Sequence, residues 1–322
     1  MQKIGITISA LLMIVVASLS FVGCGGEEAK IVIDGSSTVY PISDRMLNEF
    51  RKVNADVNIS VGTSGTGGGF VKFGKGETDI SDASRPIKAE EAEECKKNNI
   101  EFIELPVAYD GLSIVVSTKN TFCNELTTDQ LFEIFAEEGS AKTWKDVNDA
   151  WPAEPISIFA PGEASGTFDY FQEVILKKKK ASLRKGSTTS ESDSTLVTGI
   201  QDSEFAIGFF GYAYFDNNRE TLKALKINGV APGAETIENG TYAPFSRPLF
   251  IYVAKSAADK EHVAQFVSFY LEKAPNLVAD VGYFPLPDSV YAATKKRFAD
   301  RVTGSVYAAE DAKKKTLSEL YK

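Results

Sequence analysis

The chain has one histidine and three cysteines in 322 residues, and this scarcity excludes several kinds of site. A transition-metal centre needs a group of His and Cys ligands, and one histidine with scattered cysteines does not supply it. The sequence also has no Gly-x-x-x-x-Gly-Lys-Ser/Thr phosphate loop and no Gly-x-Ser-x-Gly nucleophile turn. We therefore expect no enzymatic activity, no bound metal and no cofactor.

An excess of basic side chains is also lacking. The chain carries 44 Asp and Glu residues against 35 Lys and Arg residues, a formal net charge of −9 at pH 7. An acidic surface repels a nucleic-acid backbone, so we expect no nucleic-acid partner. A small anion is not excluded, because a buried site is governed by local dipoles rather than by net charge.

A long apolar run lies at the N terminus, from Ile4 to Val22, and Gly23-Cys24-Gly25-Gly26 follows it. This segment resembles a bacterial lipoprotein signal peptide, residues 1–23, cleaved before an acylated Cys24. The alternative is an uncleaved transmembrane anchor, since the run approaches the ~20 apolar residues that a span needs. We expect an extracytoplasmic lipoprotein anchored to the lipid bilayer through Cys24, with residues 24–30 as a polar tether.

Two cysteines, Cys95 and Cys123, remain after such cleavage. Outside the cytoplasm the environment can be oxidising, so a disulfide between them is one prediction. Two unpaired thiols in the core are the equally open alternative.

Three clusters of glycine and hydroxyl residues each follow a strand-like apolar segment and precede a helix-like pattern. They are Gly35 to Thr38, Gly62 to Gly69 and Ser165 to Thr167. The first turn of a helix has unpaired N–H donors and a partial positive charge, so it can hold an oxyanion without a cationic side chain. One such turn is more often a plain helix cap, but three of them at strand-to-helix junctions favour a shared anion site.

Asp82 and Arg85 lie in the segment Ser81 to Pro86, directly after a β-like stretch. Asp82 is either a turn residue that bonds its own backbone or an acceptor for a protonated ligand oxygen. An ionised carboxylate can only accept hydrogen bonds, so it favours a P–OH group and repels a fully ionised oxyanion. Arg85 can pair with a surface carboxylate or offer its forked guanidinium to the ligand.

The alternation of strand and helix patterns predicts an α/β fold with doubly wound sheets, and about 300 mature residues exceed the usual single core. We expect two lobes. Strands at 102–105 and 112–117 flank a connection, 106–111, which we interpret as the first crossing between them; Ser246 to Pro248 is the second. The predicted division is lobe I (31–108 and 248–322) and lobe II (109–247). In such sheets, ligands bind beyond the carboxyl ends of strands, where all three clusters fall.

The ordered motifs resemble the phosphate-binding component of the high-affinity phosphate ABC transporter. The motifs are Asp34 to Pro41, Gly62 to Phe70, Asp79 to Pro86, Pro161 to Tyr170 and Ser246 to Leu249. The resemblance implies a hinged, two-lobed fold of the periplasmic-binding-protein type II. It also implies a protein that closes on one dehydrated inorganic phosphate and delivers it to a membrane ABC permease. We expect it to act as a monomer.

The resemblance also implies which residues hold the phosphate. By position these are Thr38, the Val39 amide, Thr66, Asp82 as acceptor, and Ser165, Gly166 and Thr167 from the opposite lobe. Ser37 and Ser64 are neighbours that can substitute. Many family members have an arginine four residues before the serine of Ser-Gly-Thr, but this chain has Pro161 there. Arg85 is therefore predicted to supply the guanidinium.

Two other functions stay open at this point. The first keeps the fold and changes the ligand to sulfate, molybdate or another tetrahedral oxyanion, against which Asp82 argues because those ligands bring no proton. The second is a phosphoryl-processing enzyme, which needs an activated nucleophile or a carboxylate-held metal that the sequence does not display. A surface role in adhesion could accompany any of them.

Overall fold

The computed structural model describes residues 29–163, 165–177, 180–312 and 315–322. The predicted signal peptide, the lipid-attachment residue Cys24 and most of the tether 24–30 lie outside the described residues. Within the described ranges, no helix combines the length and the apolar character that crossing a bilayer requires.

The strands begin directly after the tether. In chain order they are β1 (Lys30–Gly35), β2 (Asn58–Gly62), β3 (Ile80–Ala83), β4 (Phe102–Ser117), β5 (Glu125–Leu126), β6 (Ser157–Pro161), β7 (Thr188–Ser190), β8 (Ala206–Gly211), β9 (Leu222–Ala224), β10 (Lys226–Ile227) and β11 (Ser246–Ala254).

The α-helices alternate with these strands. They are α1 (Tyr40–Phe50), α2 (Gly65–Gly74), α3 (Ala89–Lys97), α4 (Thr128–Phe135), α5 (Trp144–Val147), α6 (Gly166–Phe171), α7 (Asp193–Gln201), α8 (Tyr212–Asp216), α9 (Ala234–Glu238), α10 (Lys255–Ala258), α11 (Glu261–Leu277), α12 (Asp288–Ala299) and α13 (Leu317–Leu320). A π-helical turn, Gln172–Leu176, continues α6, and short 3₁₀ turns occupy Ala279–Val281 and Val306–Ala308.

The main sheet has the strand order β2-β1-β3-β11-β4-β8-β6-β7, with β9 paired to the far part of β4. The pairs β1–β2, β1–β3, β6–β7 and β6–β8 are parallel, whereas β11 runs antiparallel to both β3 and β4. Parallel strands need helical crossovers, which is why helices alternate with strands along the chain. The predicted α/β class with two lobes is confirmed.

Strand β4 joins the two halves of the sheet. It pairs with β11 as far as Gly111 and with β8 from Leu112 onward. The sequence predicted two strands separated by a connection at 106–111, and that prediction is wrong: all sixteen residues of β4 form one buried strand. Pro106, which has no N–H to donate, is tolerated because the register shifts beside it, between Leu249 and Phe250.

The first change between sheet halves therefore lies within β4, and the second predicted crossing, Ser246 to Pro248, forms the start of β11. The division of the chain at 108/109 and 247/248 stays a prediction. Lobe I continues to mean residues 31–108 and 248–322, and lobe II residues 109–247.

Aromatic side chains fill the core of each lobe. In lobe I, Phe50 of α1 packs edge-on against Phe266 of α11, with ring centroids 5.3 Å apart. In lobe II, Phe171 stacks on Phe209 at 4.0 Å, and all four rings are buried. Burying an aromatic side chain contributes roughly 1.5–3 kcal/mol, so these contacts hold α1 and α6, and the loops before them, against the sheet.

The two cysteines are not bonded to each other, so the disulfide prediction is wrong and the alternative of two core thiols holds. Cys95 lies in α3 of lobe I, while Cys123 lies between β4 and β5 in lobe II. Both are fully buried, and burial raises the pKa of the Cys95 thiol to about 11 and that of Cys123 to about 12. Such thiols are inert because little thiolate forms.

Candidate functional site

Two of the predicted clusters and Asp82 come together at one edge of the sheet. Strand β1 lies between β2 and β3, and all three run parallel, so their carboxyl ends meet there. Gly35 pairs with Asp82 in the register of β1 and β3, and the Ser36 amide donates to the Asp82 carbonyl at 2.9 Å. A side chain at Gly35 would collide with that carbonyl, which explains the glycine.

The third cluster reaches the first from the other lobe. The Thr38 hydroxyl donates to the Gly166 carbonyl at 3.2 Å, and the Ser37 hydroxyl donates to the Asp169 carboxylate at 2.6 Å. An added Cβ on Gly166 would lie 2.4 Å from the Thr38 Cα. The loop before α1 is therefore in direct contact with the first residues of α6, which brings together residues of the two predicted lobes.

Two cavities flank this contact, and Ser37 borders both. The smaller, about 220 Å³, is lined by Ser36, Ser37, Thr38, Gly65, Thr66, Gly67, Ser84, Arg85, Asp169, Glu173, Lys177 and Arg247. The larger, about 970 Å³, includes Ser37, Ser64, Gly65, Ser165, Gly166 and Thr167 among its lining residues. Most of the predicted site residues line one of these two cavities, whereas Val39 and Asp82 line neither of them.

Asp82 is fully buried at the end of β3. Its Oδ1 accepts a hydrogen bond from the Ser43 hydroxyl at 3.0 Å, whereas its Oδ2 has no hydrogen-bond partner among the described residues. Burial raises the pKa of Asp82 to about 7; the Ser43 hydrogen bond opposes the rise, and the charge of Asp34 adds to it. A carboxyl that titrates near neutral pH and has a spare oxygen can accept or donate a hydrogen bond.

The hydroxyls of Ser37 and Ser64 are engaged within the protein. Ser37 donates to Asp169, and both the amide and the hydroxyl of Ser64 donate to Asp34 Oδ1. Lys72 donates to the other oxygen of Asp34 at 2.6 Å. Burial raises the pKa of Asp34, but the hydrogen bonds from Lys72 and Ser64 outweigh burial and hold it below its ordinary value. The Ser64 hydrogen bonds to Asp34 hold the start of α2, where the second cluster lies, and the ion pair with Lys72 holds the last turn of the same helix.

Thr66 is held at the edge of the smaller cavity by Ser84. The Ser84 amide donates to Thr66 Oγ1 at 3.1 Å, and the two hydroxyl oxygens lie 3.0 Å apart. In the first cluster, the Val39 amide donates to the Ser36 carbonyl at 3.2 Å, and the Val39 side chain is buried. Both positions stay predictions as ligand contacts.

Ser165 acts as the helix cap of α6, because its hydroxyl oxygen accepts from the Thr167 amide at 3.2 Å. The plain capping role and a ligand role are compatible, since the cap uses the oxygen and leaves the hydroxyl proton to be donated.

Arg85 lines the smaller cavity, but its guanidinium is directed at another side chain. Its two terminal nitrogens donate to the two carboxylate oxygens of Glu91 at 2.8 and 2.7 Å, and Nη1 also reaches the Pro86 carbonyl. The forked face that was predicted to hold the ligand is therefore occupied by Glu91 of α3, whose side chain is mostly buried.

Sequence reasoning missed two residues that the structure brings to this place. Ser43 lies in the first turns of α1 and supplies the partner of Asp82. Arg247 donates from Nη2 to Thr38 Oγ1 at 3.1 Å and forms an ion pair with Asp110. A signal for Arg247 was present, because it stands in the motif Ser246 to Leu249, but that motif was not assigned a ligand role.

Carboxylates are prominent in the larger cavity, where Glu163, Glu191, Asp193 and Asp280 are among the lining residues. Burial raises the pKa of Asp193. These carboxylates make the electrostatic potential in the larger cavity negative. An anion bound here must therefore be held by nearby hydroxyls, amides and a cationic side chain rather than by net charge.

Comparison with known proteins gives a consistent result. A family model described as a PBP superfamily domain matches residues 24–274. The chain is 46% identical over 303 residues to Protein SphX of Synechococcus elongatus, a match that covers 92% of this chain and 89% of that protein. It is 39% identical over 298 residues to the phosphate-binding protein PstS of Staphylococcus saprophyticus, covering 88% and 91%.

A solved structure gives the same picture. The ABC-type phosphate transport receptor from Vibrio cholerae matches with a TM-score of 0.63 at 27% identity, covering 80% of this chain and 100% of that chain. The likeness therefore extends over both halves of the sheet.

Proposed function

The chain belongs to the PBP superfamily, and from this premise we propose that it binds inorganic phosphate outside the cytoplasmic membrane and delivers it to an ABC permease. The relatives that match over most of its length include a phosphate-binding protein and a phosphate transport receptor. These relatives are named for binding and transport, and we propose binding without chemical transformation of the ligand.

The observation that carries the proposal is the buried Asp82 with its unpartnered Oδ2, next to the first cluster. Leaving a carboxylate oxygen buried and unpaired costs about 1–3 kcal/mol or more, so it is retained where a ligand completes it. Phosphate at neutral pH keeps at least one P–OH group that can donate to this oxygen. Sulfate has none, and its charge would oppose that of the carboxylate.

The remaining contacts come from both lobes. We assign the Thr38 hydroxyl, the Val39 amide and Thr66 to lobe I, and the loop 165–167 to lobe II, as donors to the phosphate oxygens. The Thr38 hydroxyl and the Val39 amide now donate to the Gly166 and Ser36 carbonyls, and they must exchange those acceptors for the ligand on binding. Each such bond contributes roughly 0.5–3 kcal/mol net. Several of them together reach the about 8 kcal/mol that micromolar binding needs, after the cost of closing the lobes is offset.

Titration calorimetry tests the proposal directly. At about pH 9, where Asp82 is ionised, the purified protein is expected to release heat on binding phosphate, with micromolar or tighter affinity, and to bind sulfate about 100-fold more weakly because of Asp82. Equal affinity for the two anions, or preference for sulfate or molybdate, would show a binding protein for another oxyanion. No heat with any of the three would remove the proposal.

We further propose that the mature protein is a monomeric lipoprotein held at the outer face of the cytoplasmic membrane through an acylated Cys24. The support is the sequence of residues 1–26, which lies outside the described part of the chain. Tethering would keep the binding protein close to its permease, which raises their effective concentration for each other.

Replacing the acylation site tests this anchoring. A Cys24→Ser variant is expected to move from the membrane fraction to the soluble fraction of cells, because the acyl chains no longer attach. A Cys95→Ser variant, whose thiol is buried in α3, should stay in the membrane fraction. If the Cys24→Ser protein also stays there, the N-terminal run is an uncleaved anchor instead.

A further inference from the structure

Arg247 occupies the junction of the two lobes. It is the second residue of β11 and the cross-strand partner of Asp110 in β4, at the stretch of sheet through which the chain passes between lobes. Its side chain is only 12% exposed. A guanidinium, which never loses its charge, needs compensating partners at such burial.

Those partners come from different parts of the molecule. Nε donates to Asp110 at 3.2 Å and Nη1 donates to Glu173 at 3.3 Å, while the guanidinium carbon lies 3.5 Å from the ring centre of Tyr170. Nη2 donates to the Thr38 hydroxyl at 3.1 Å. One planar group thus contacts lobe I through Thr38 and lobe II through Tyr170 and Glu173.

The bond to Thr38 points to an anion. Thr38 stands in the loop that meets Gly166, where donors of both lobes converge. A neutral hydroxyl is a weak acceptor for a guanidinium, and an anionic oxygen in the same place is a much stronger one. The three bonds above use three of the five guanidinium N–H groups, and Arg247 is among the residues that line the smaller cavity.

We propose that Arg247 supplies the guanidinium that holds the bound anion and, through its contacts to both lobes, ties lobe closure to occupancy. This inference rests on the proposed function and replaces Arg85 in that role. Both terminal nitrogens of Arg85 donate to the carboxylate of Glu91, whereas Nη2 of Arg247 donates to a neutral hydroxyl. Phosphate bound beside Thr38 attracts the Arg247 guanidinium toward the contact between Thr38 and Gly166. Stacking on the Tyr170 ring fixes the orientation of the guanidinium plane relative to the ligand. Loss of Arg247 therefore removes a ligand contact and a closure contact together.

A simple truncation of Arg247 would leave Asp110 buried and unpaired, which by itself destabilises a protein. The test therefore compares Asp110→Asn with the double variant Asp110→Asn/Arg247→Gln, in which neither site carries a charge. If Arg247 only neutralises Asp110, the two proteins bind phosphate equally. We expect instead that the double variant binds phosphate about 30-fold more weakly than Asp110→Asn, as measured by titration calorimetry.

The chain offers a matched control. Arg219 also stacks on an aromatic ring, Phe215, and pairs with a neighbouring carboxylate, Asp216, but it lies on the surface of lobe II. The double variant Arg219→Gln/Asp216→Asn is expected to bind phosphate as the wild type does. Thermal unfolding of each variant confirms that it is folded before titration.

Two further arms complete the design. If the Arg247 double variant does not fold, Arg247→Lys keeps the charge and loses the fork, and about tenfold weaker phosphate binding is expected. Arg85→Gln tests the other arginine. If Arg85→Gln loses more phosphate affinity than the Arg247 variant does, the inference is overturned. Equal phosphate affinity of Asp110→Asn and Asp110→Asn/Arg247→Gln also overturns it. If the wild type binds no phosphate, the proposed function itself fails, and this inference falls with it.

Discussion

At about pH 9, where Asp82 with its pKa of about 7 is ionised, the Asp82→Asn variant is expected to bind sulfate about 100-fold more tightly than the wild type does, while its phosphate affinity falls about tenfold. The ionised carboxylate repels a ligand without a proton, and it leaves Oδ2 unpaired when such a ligand is bound. An amide in its place donates to sulfate and no longer carries the charge, a change of about 3 kcal/mol. For phosphate, the loss is one hydrogen bond to a charged group. Competitive titration with both anions measures the ratio of affinities.

The raised pKa of Asp82 gives the same residue a pH signature. Below about pH 7 the carboxyl is protonated and can donate to sulfate; above it, the carboxylate repels sulfate. Sulfate affinity of the wild type should therefore rise about 30-fold between about pH 8.5 and about pH 5.5. In Asp82→Asn this dependence should vanish. Because the Ser43 hydrogen bond lowers the pKa, Ser43→Ala should shift the midpoint upward and keep the dependence. Unchanged selectivity in Asp82→Asn would remove Asp82 from this role.

A single methyl group on Gly166 is expected to weaken phosphate binding at least 100-fold. The new Cβ would lie 2.4 Å from the Thr38 Cα and 2.8 Å from its amide nitrogen. Backbone atoms cannot rotate away, so the loops must separate and the donors of the two lobes can no longer reach one ligand. Losing even two or three such bonds costs about 3 kcal/mol or more.

Gly233→Ala is the matched control, because its Cβ would meet only the Thr236 hydroxyl at 3.7 Å and its φ of −171° suits any residue. Titration of both variants with phosphate, combined with small-angle X-ray scattering, measures affinity and closure. Gly166→Ala should bind weakly and show no phosphate-dependent contraction, while Gly233→Ala should behave as the wild type. Tight binding by Gly166→Ala would mean that the contact seen here is not needed in the bound state.

Much of the site could be predicted from the sequence, because each cluster of donors is formed by a few neighbouring residues. Each of the three clusters does lie between a strand and a helix, as predicted: β1 and α1, β2 and α2, β6 and α6. Glycine and hydroxyl residues are favoured at such junctions for reasons that involve only a few neighbouring residues. Asp82 was placed correctly at the end of a strand by the same reasoning.

Other features depend on partners far away in the chain, and there the predictions failed or were incomplete. The connection expected at 106–111 is strand because β11, more than a hundred residues later, satisfies its backbone hydrogen bonds. Cys95 and Cys123 could be predicted as a disulfide from the sequence, but the fold places them apart and leaves both thiols free. Arg85 is different, because its partner Glu91 is only six residues further along; the turn at Pro86 and the start of α3 bring the two side chains together, and no motif marked that pairing.

The positions of the donor-rich turns and of the one acceptor carboxylate follow from the sequence alone, since short-range backbone chemistry selects those residues. Which arginine contacts the first cluster depends on long-range packing. Arg247 meets Asp110, 137 residues earlier, through strand pairing, and meets Thr38 through contact between lobes. Such pairings are set by sheet register and burial, which no local pattern encodes.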